Sequence, residues 1–329
     1  MSEHFPGRVL RVGVVGCADI AIRRILPALA ALESTELVAV ASRDPAKASR
    51  VAATFGCTGI AGYQRLIDRD DIDALYIPLP PSMHHEWVSR ALRAGKHVLS
   101  EKPLATSHRE TVELVELARE RDLVLAENYM FLHHSQHDAV QKMVDDNTIG
   151  KLQVFSSSFG IPPLHPASFR YRPGLGSGAL LDVGVYPLRA AQLFLSADLE
   201  VRGASLRIGP TGVDIAGAAL LRTPDGVLAQ VDWGFEHSYR STYSLWGTQG
   251  RITVPRAFTP PEHHRPLVRL EQQDLRTEYS LAADHQVRNT LAAFVDAASS
   301  PGNRPAFEQA LLEQALLVDR VRRAAETEG

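Results

Sequence analysis

The 329-residue chain predicts two domains of different class: an α/β domain built on a doubly wound parallel sheet, then an α+β domain with a large, mostly antiparallel open β-sheet. Two observations carry the prediction. Residues 9–128 alternate short apolar strands with amphipathic helical stretches, the pattern of a parallel sheet covered on both faces. After residue 150 strands dominate, and the connections Thr223-Pro224-Asp225-Gly226 and Thr248-Gln249-Gly250 are hairpin signals.

In order, the first part reads as strands at 10–15, 37–41, 74–77, 97–99 and 124–127, with helices at 21–32, 45–55, 85–94 and 107–121 between them. The second part reads as strands at 151–160, 200–208, 212–223, 227–235, 242–246 and 251–254. A helix is expected at 179–195, and closing helices at 284–299 and 306–326; the Pro260–Pro266 stretch, with four polar residues between Pro261 and Pro266, reads as an exposed loop. The division falls at 1–128 and 129–329, with the closing helices free to pack back on the first domain.

Hydrophobic residues make up 45% and charged residues 22%, with a net charge of −3, which suits a soluble globular enzyme and gives no reason to expect nucleic acid or an anionic membrane as partner. Only Cys17 and Cys57 occur, so a structural disulfide is not expected and a reducing cytoplasm fits. The apolar run 9–15 is short and interrupted by Arg11, unlike a secretory signal, and no stretch approaches the roughly 20 apolar residues of a membrane span. An open sheet with few helices to cover it leaves apolar area over, which predicts a homodimer or homotetramer.

The strand at 10–15 runs into Gly16-Cys17-Ala18-Asp19-Ile20-Ala21 and then a helix, the place of the G-x-G-x-x-G/A dinucleotide turn. Ala18 stands where the pattern has its second glycine, and Ala21 fills the third position. The next strand ends in Ser42-Arg43-Asp44. An acid at this point binds a ribose 2′-hydroxyl, whereas an arginine accommodates a 2′-phosphate. Ser42 with Arg43, and Lys47 one turn further on, therefore point to NADP(H). The three prolines of the turn Pro78-Leu79-Pro80-Pro81 remove backbone donors and can form a rigid wall for a flat ring. His84 after it is read as capping the helix, touching the cofactor or serving structure alone.

The segment Ala94-Gly95-Lys96-His97-Val98-Leu99-Ser100-Glu101-Lys102-Pro103 puts a lysine just outside the carboxyl end of a buried parallel strand, where open α/β sheets present ligands. Partial desolvation there would lower its pKa and ready the ammonium for proton transfer. In the second domain, Asp182 and Tyr186 lie four apart on an expected helix and so share a face, behind a loop with Gly174, Gly176 and Gly178.

Together these motifs resemble the glucose–fructose oxidoreductase/inositol dehydrogenase/rhizopine-catabolism (Gfo/Idh/MocA) family, over essentially the whole chain. The resemblance implies that Lys102 lies beside nicotinamide and substrate and that Asp182 contacts substrate. Many members carry histidine where this chain has Tyr186; a phenol of reference pKa near 10 is suited to donating toward a ketone, so reduction is favoured over oxidation. Tyr129, the loop 162–172 and Tyr186 look like the nucleotide-sugar 3-ketoreductases of deoxysugar biosynthesis. The implied reaction is NADPH-dependent reduction at C-3 of a dTDP-linked 3,4-diketo-2,6-dideoxyhexose. Oxidation of an inositol or free sugar, and a non-catalytic NADP-binding regulator, are the alternatives.

Candidate catalytic residues are thus Lys102 and Tyr186. Candidate cofactor residues are Gly16, Cys17, Ala18, Asp19, Ile20, Ala21, Ser42, Arg43, Tyr63, Leu79, Pro80, His84, Glu101 and Lys102. Candidate substrate residues are Asp182, Tyr186, Arg170 and Arg240, the arginines suiting a diphosphate, with Arg172 a further cation. His133 and His137 form an i, i+4 pair beside His134, but no His-Glu-x-x-His pattern or third ligand accompanies them, and no metal is expected.

Overall fold

A computed structural model of the protein describes residues 9–176, 178–300 and 304–326. The chain divides into two compact units: residues 1–129 with 287–312, and residues 130–286 with 313–329.

In the first unit, β1 (Leu10–Val15), β2 (Thr35–Ser42), β3 (Thr58–Ala61), β4 (Ala74–Ile77), β5 (His97–Ser100) and β6 (Leu125–Glu127) form a parallel sheet in the order β3-β2-β1-β4-β5-β6. The strand order reverses between β1 and β4, so their carboxyl ends frame the crevice where such sheets bind ligands. β1 and β4 are almost wholly buried because helices cover both faces: α1 (Leu26–Ala31), α2 (Pro45–Phe55), α3 (Tyr63–Ile67), α4 (Pro81–Arg93) and α5 (His108–Glu120). Each fully buried Val or Leu here is worth about 1.5–3 kcal/mol of transfer free energy. Local caps fix the helix starts. Asp44 accepts from the backbone N–H groups of Ala46 and Lys47 to open α2; at α5 Ser107 Oγ accepts the Glu110 N–H, and the Glu110 carboxylate accepts from the N–H and hydroxyl of Thr106.

The division differs from a simple cut at 128/129. Residues 287–312, most of α8 (Gln286–Ser299) and the start of α9 (Arg304–Glu326), belong to the first unit. Leu291, Phe294 and Val295 line a small apolar cavity with Leu10, Val12, Tyr76 and Leu99, and Glu308 pairs with Arg119 at 2.5 Å.

The second unit opens with α6 (Ser135–Asp145), then β7 (Leu152–Gly160), a π-helical turn (Leu180–Gly184) leading into α7 (Val185–Phe194), and β8 (Glu200–Ile208) to β12 (Arg251–Val254) through β9 (Asp214–Arg222), β10 (Leu228–Gly234) and β11 (Arg240–Gly247). The strands β13 (Leu267–Gln272) and β14 (Leu275–Ser280) complete an eight-stranded sheet ordered β14-β13-β12-β11-β7-β10-β9-β8. Every pair is antiparallel except β7 with β10, because β7 is inserted between two strands that follow it in sequence.

One face of this sheet carries an aromatic layer. Tyr243 and Phe155 stack with Phe194 of α7, and Phe159 meets Tyr186 edge-on. The other face is open. Strand register lines up Arg276, Glu271, Arg251, Trp246, Val154, Leu228, Arg222 and Glu200 in one row across all eight strands. Trp246 is 59% exposed at its centre. Among the described residues no helix is long and apolar enough to cross a membrane.

Candidate active site

The dinucleotide turn begins at Gly16, whose φ of 119° lies in a region that L side chains rarely adopt, and a Cβ there would sit 2.9 Å from Leu79 Cδ2. Its N–H donates to Ala41 O, tying the turn to β2. The buried Cys17 thiol sits 3.7 Å from the same carbonyl, and burial pushes its pKa up, so it is an inert packing group. Ala18, Asp19 and Ile20 follow at the surface; the helix opens at Asp19 and its next stretch, Ala21–Ile25, is π-helical, with no side-chain hydrogen bond at its Ile20 cap position. Its leading N–H groups thus have no side-chain acceptor, the arrangement that receives a phosphate.

At the end of β2 the three polar residues divide their work. Ser42 is buried and its Oγ accepts the Asp44 N–H, while Asp44 caps α2. Both capping bonds fall on Asp44 Oδ1, which holds its carboxylate at the start of α2. Arg43 is exposed, and Lys47 lies close enough to Cys17 for its charge to act on the thiol. Cations therefore surround this corner.

The Lys102 turn is held from several sides. Glu101 N donates to Ile77 O, and Leu104 N donates to Glu127 Oε1 at 2.7 Å. The Glu101 carboxylate accepts from Tyr76 OH at 2.7 Å and from Asn128 Nδ2 at 2.5 Å. Burial pushes the Glu101 pKa up, against the pull of those two donors. The Lys102–Pro103 peptide is cis, and Lys102 itself is half-buried. Glu101 thus serves as the fixed base of the turn. Tyr76, Glu127 and Asn128 were not among the sequence candidates; the signal available was their position at the carboxyl ends of β4 and β6.

The structure places three further candidates in particular surroundings. His84 neither caps α4, whose cap position is Pro80, nor offers a nitrogen to a cofactor: it is fully buried, with Nδ1 and Nε2 each 2.7 Å from a carbonyl oxygen, of Pro103 and Leu79. Tyr63 is buried and packs edge-on against Trp87, in the core cluster of the first unit. Arg240 pairs with Gly160 one residue before Ser241, which pairs with Phe159. Because successive strand residues point to opposite faces, Arg240 falls on the open face, away from the side of Phe159 and Tyr186.

In the second unit, Arg170 Nε donates to Asp182 Oδ2 at 2.5 Å. Asp182 sits in the π-helical turn, and Asp214 of β9 fixes the start of that turn by accepting Leu180 N at 2.6 Å. Gly178 is required beside it, since a Cβ there would run into the Asp214 carboxylate, and its φ is 111°. Gly184 likewise lets the turn lie against Trp233. The Tyr186 ring is enclosed by Phe131, Phe159 and Phe258 at centroid distances of 5.9, 5.0 and 5.6 Å. Tyr129 is buried in the first unit, and Arg172 donates to Ala167 O within its own loop. The histidines are structural. His134 Nδ1 accepts Gln136 N at the start of α6, and His137 Nδ1 lies 2.9 Å from Tyr243 OH. Among the described residues no group of three or more His, Cys, Asp or Glu could hold a metal ion.

A doubly wound sheet with this turn after its first strand, and a braced lysine turn after its fifth, defines a pyridine-nucleotide-dependent oxidoreductase. The chain belongs to the Gfo/Idh/MocA oxidoreductase family. Residues 10–129 match the family model described as oxidoreductase family, NAD-binding Rossmann fold, and residues 137–253 match the GFO/IDH/MocA C-terminal domain. The dTDP-3,4-didehydro-2,6-dideoxy-alpha-D-glucose 3-reductase of Saccharopolyspora spinosa is 50% identical over 322 residues, 96% of this chain and 97% of that protein. Its namesake from Streptomyces violaceoruber is 50% identical over 97% of this chain and 96% of that protein. Among solved structures, KijD10, a 3-ketoreductase from Actinomadura kijaniata in complex with NADP and TDP-benzene, superposes with a TM-score of 0.94 at 48% identity, covering 96% of this chain and 98% of that one. KijD10 variants with a lysine replaced by alanine, or a tyrosine by phenylalanine, were also solved in complex with TDP-benzene and NADP.

Proposed function

We propose that this chain is an NADPH-dependent reductase that acts at C-3 of a dTDP-linked 3,4-diketo-2,6-dideoxyhexose. The observation that carries the reading is the turn around Lys102 at the carboxyl end of β5, braced from both flanks by Tyr76, Glu127 and Asn128. The substrate class rests on similarity to the reductases of Saccharopolyspora and Streptomyces and to KijD10.

The first unit fits NADP(H). The Gly16 turn and the uncapped helical turn after it would take the pyrophosphate, with Ser42 and Arg43 taking the 2′-phosphate. When bound, NADPH supplies the hydride, with its electron pair, to the C-3 carbonyl carbon. Lys102 gives a proton to the carbonyl oxygen and stabilises the developing alkoxide, then regains a proton from water. Tyr186, held by its aromatic neighbours, is a hydrogen-bond donor for the substrate. Asp182 accepts from a sugar hydroxyl, and Arg170 fixes the orientation of its carboxylate.

Two copies of the chain pair through the open sheet face. The row centred on Trp246 ends in Arg276 and Glu271 on one side and Arg222 and Glu200 on the other, so a two-fold pairing can match opposite charges around an apolar middle. Cys17 and Cys57 are both free thiols, which suits a reducing cytoplasm. A screen of NADPH oxidation against dTDP-linked keto-deoxyhexoses, myo-inositol and free sugars tests the function: turnover confined to the dTDP-linked ketones supports it, and NADP+ reduction by inositol or glucose alone overturns it.

A further inference from the structure

His84 stands where three functional turns meet. Its ring is fully buried in the first turns of α4, and each nitrogen has one oxygen at 2.7 Å, Pro103 O for Nδ1 and Leu79 O for Nε2. Pro103 follows Lys102 directly. Leu79 lies in the proline turn, and its side chain is the atom group that a Cβ on Gly16 would strike. One ring therefore joins the lysine turn to the proline turn, and the proline turn is in van der Waals register with the dinucleotide turn.

A carbonyl oxygen only accepts, so both contacts are full hydrogen bonds only when both nitrogens carry hydrogen. Burial pushes the His84 pKa down, Lys102 adds to that, and the two carbonyls only partly offset them, so the neutral ring donates its one N–H to one of the two carbonyls and packs against the other. An apolar ring of the same size would fill the space but leave two buried carbonyls without donors.

We propose that His84 is a positioning residue, one that clamps the Lys102–Pro103 turn to the proline turn and so sets where the lysine ammonium lies relative to bound cofactor. This rests on the reading of Lys102 as proton donor. The clamp acts only through Lys102, which separates it from a merely structural role. A histidine needed only for folding would lower turnover by the same factor whether or not the lysine is present.

The test is a double-mutant cycle on turnover at saturating NADPH and keto-sugar. His84→Phe lowers kcat on the order of 10- to 100-fold, the scale of an ångström-sized misplacement, while the KM for NADPH changes by less than about 3-fold. His84→Gln, whose amide nitrogen carries two hydrogens, recovers most of the loss. In the Lys102→Met enzyme, adding His84→Phe changes the residual rate by less than about 2-fold. If the Phe variant does not fold, His84→Asn, whose shorter amide reaches one carbonyl, runs the same cycle. Equal losses in both backgrounds, or a His84→Phe enzyme as fast as the parent, overturn the clamp. Normal turnover by Lys102→Met alone instead overturns the proton-donor reading on which it rests.

Discussion

Arg170 donates from Nε to the Asp182 carboxylate at 2.5 Å, which pins the loop before α7 to the turn that leads into Tyr186. The pair is part-exposed, so its coupling is about 0.2–1 kcal/mol by the measure of solvent-screened ion pairs. Arg170→Ala and Asp182→Asn are each expected to raise the KM for the nucleotide sugar more than they lower kcat. The double variant is expected to be less impaired than the product of the two losses. Fully independent losses, measured by steady-state kinetics, would contradict the pairing.

Arg43, exposed beside the Asp44 cap, is the residue proposed to read the cofactor's ribose. Arg43→Ala is expected to cost on the order of 1.5–3 kcal/mol in NADPH affinity, the range for a hydrogen bond to a charged group, and little with NADH. Fluorescence titration with both cofactors measures this. Equal losses would show that Arg43 does not read the 2′-phosphate.

His137 is pushed down to about 3 by burial, with repulsion from His134 in the same direction, against a reference of 6.5. A base with a depressed folded pKa binds fewer protons in the native state than in the unfolded one between those two values. Its contribution to stability is therefore complete above pH 6.5 and is lost progressively as pH falls toward 3. His137→Asn should flatten the pH dependence of urea-unfolding free energy in that window by up to one proton, about 1.4 kcal/mol per pH unit. An unchanged slope would mean that the ring titrates normally in the folded protein.

Trp246, 59% exposed in the middle of the open sheet face, is the expected centre of the subunit contact. Light scattering at micromolar concentration should give a multiple of 36.0 kDa for the parent chain and a smaller particle for Trp246→Glu. A parent mass of 36.0 kDa would remove the proposed pairing.

Much of this architecture can be read from residue pattern. The strands β1 and β4 and the helix α2 fall on their sequence-predicted bounds because their apolar runs, or their Asp-Pro start and glycine stop, are local signals. β3 escaped because Thr58-Gly59-Ile60-Ala61 has one large apolar residue and is only partly buried. β14, whose Leu275, Thr277 and Tyr279 alternate with Arg276, Glu278 and Ser280, is a mostly exposed edge strand too short to stand out from a loop. The π-helical turns at Ala21–Ile25 and Leu180–Gly184 are set by packing, as with Gly184 against Trp233, and carry no residue signature of their own. Of the site, Lys102 was visible from its strand-end position. Tyr76 and Asn128 were not, since a strand tyrosine reads as core and their convergence on Glu101 exists only in three dimensions. The face that Arg240 takes is set by its register with Gly160, which the local sequence does not carry.

The central claim is that Lys102 supplies the proton in the reduction. The direct measurement is turnover of Lys102→Met at saturating NADPH and dTDP-linked 3,4-diketo-2,6-dideoxyhexose, alongside NADPH affinity and the circular dichroism spectrum. A loss of roughly 10²- to 10⁴-fold, the usual worth of general acid–base catalysis, is expected with folding and NADPH binding retained. Near-normal turnover by a folded Lys102→Met enzyme would contradict it.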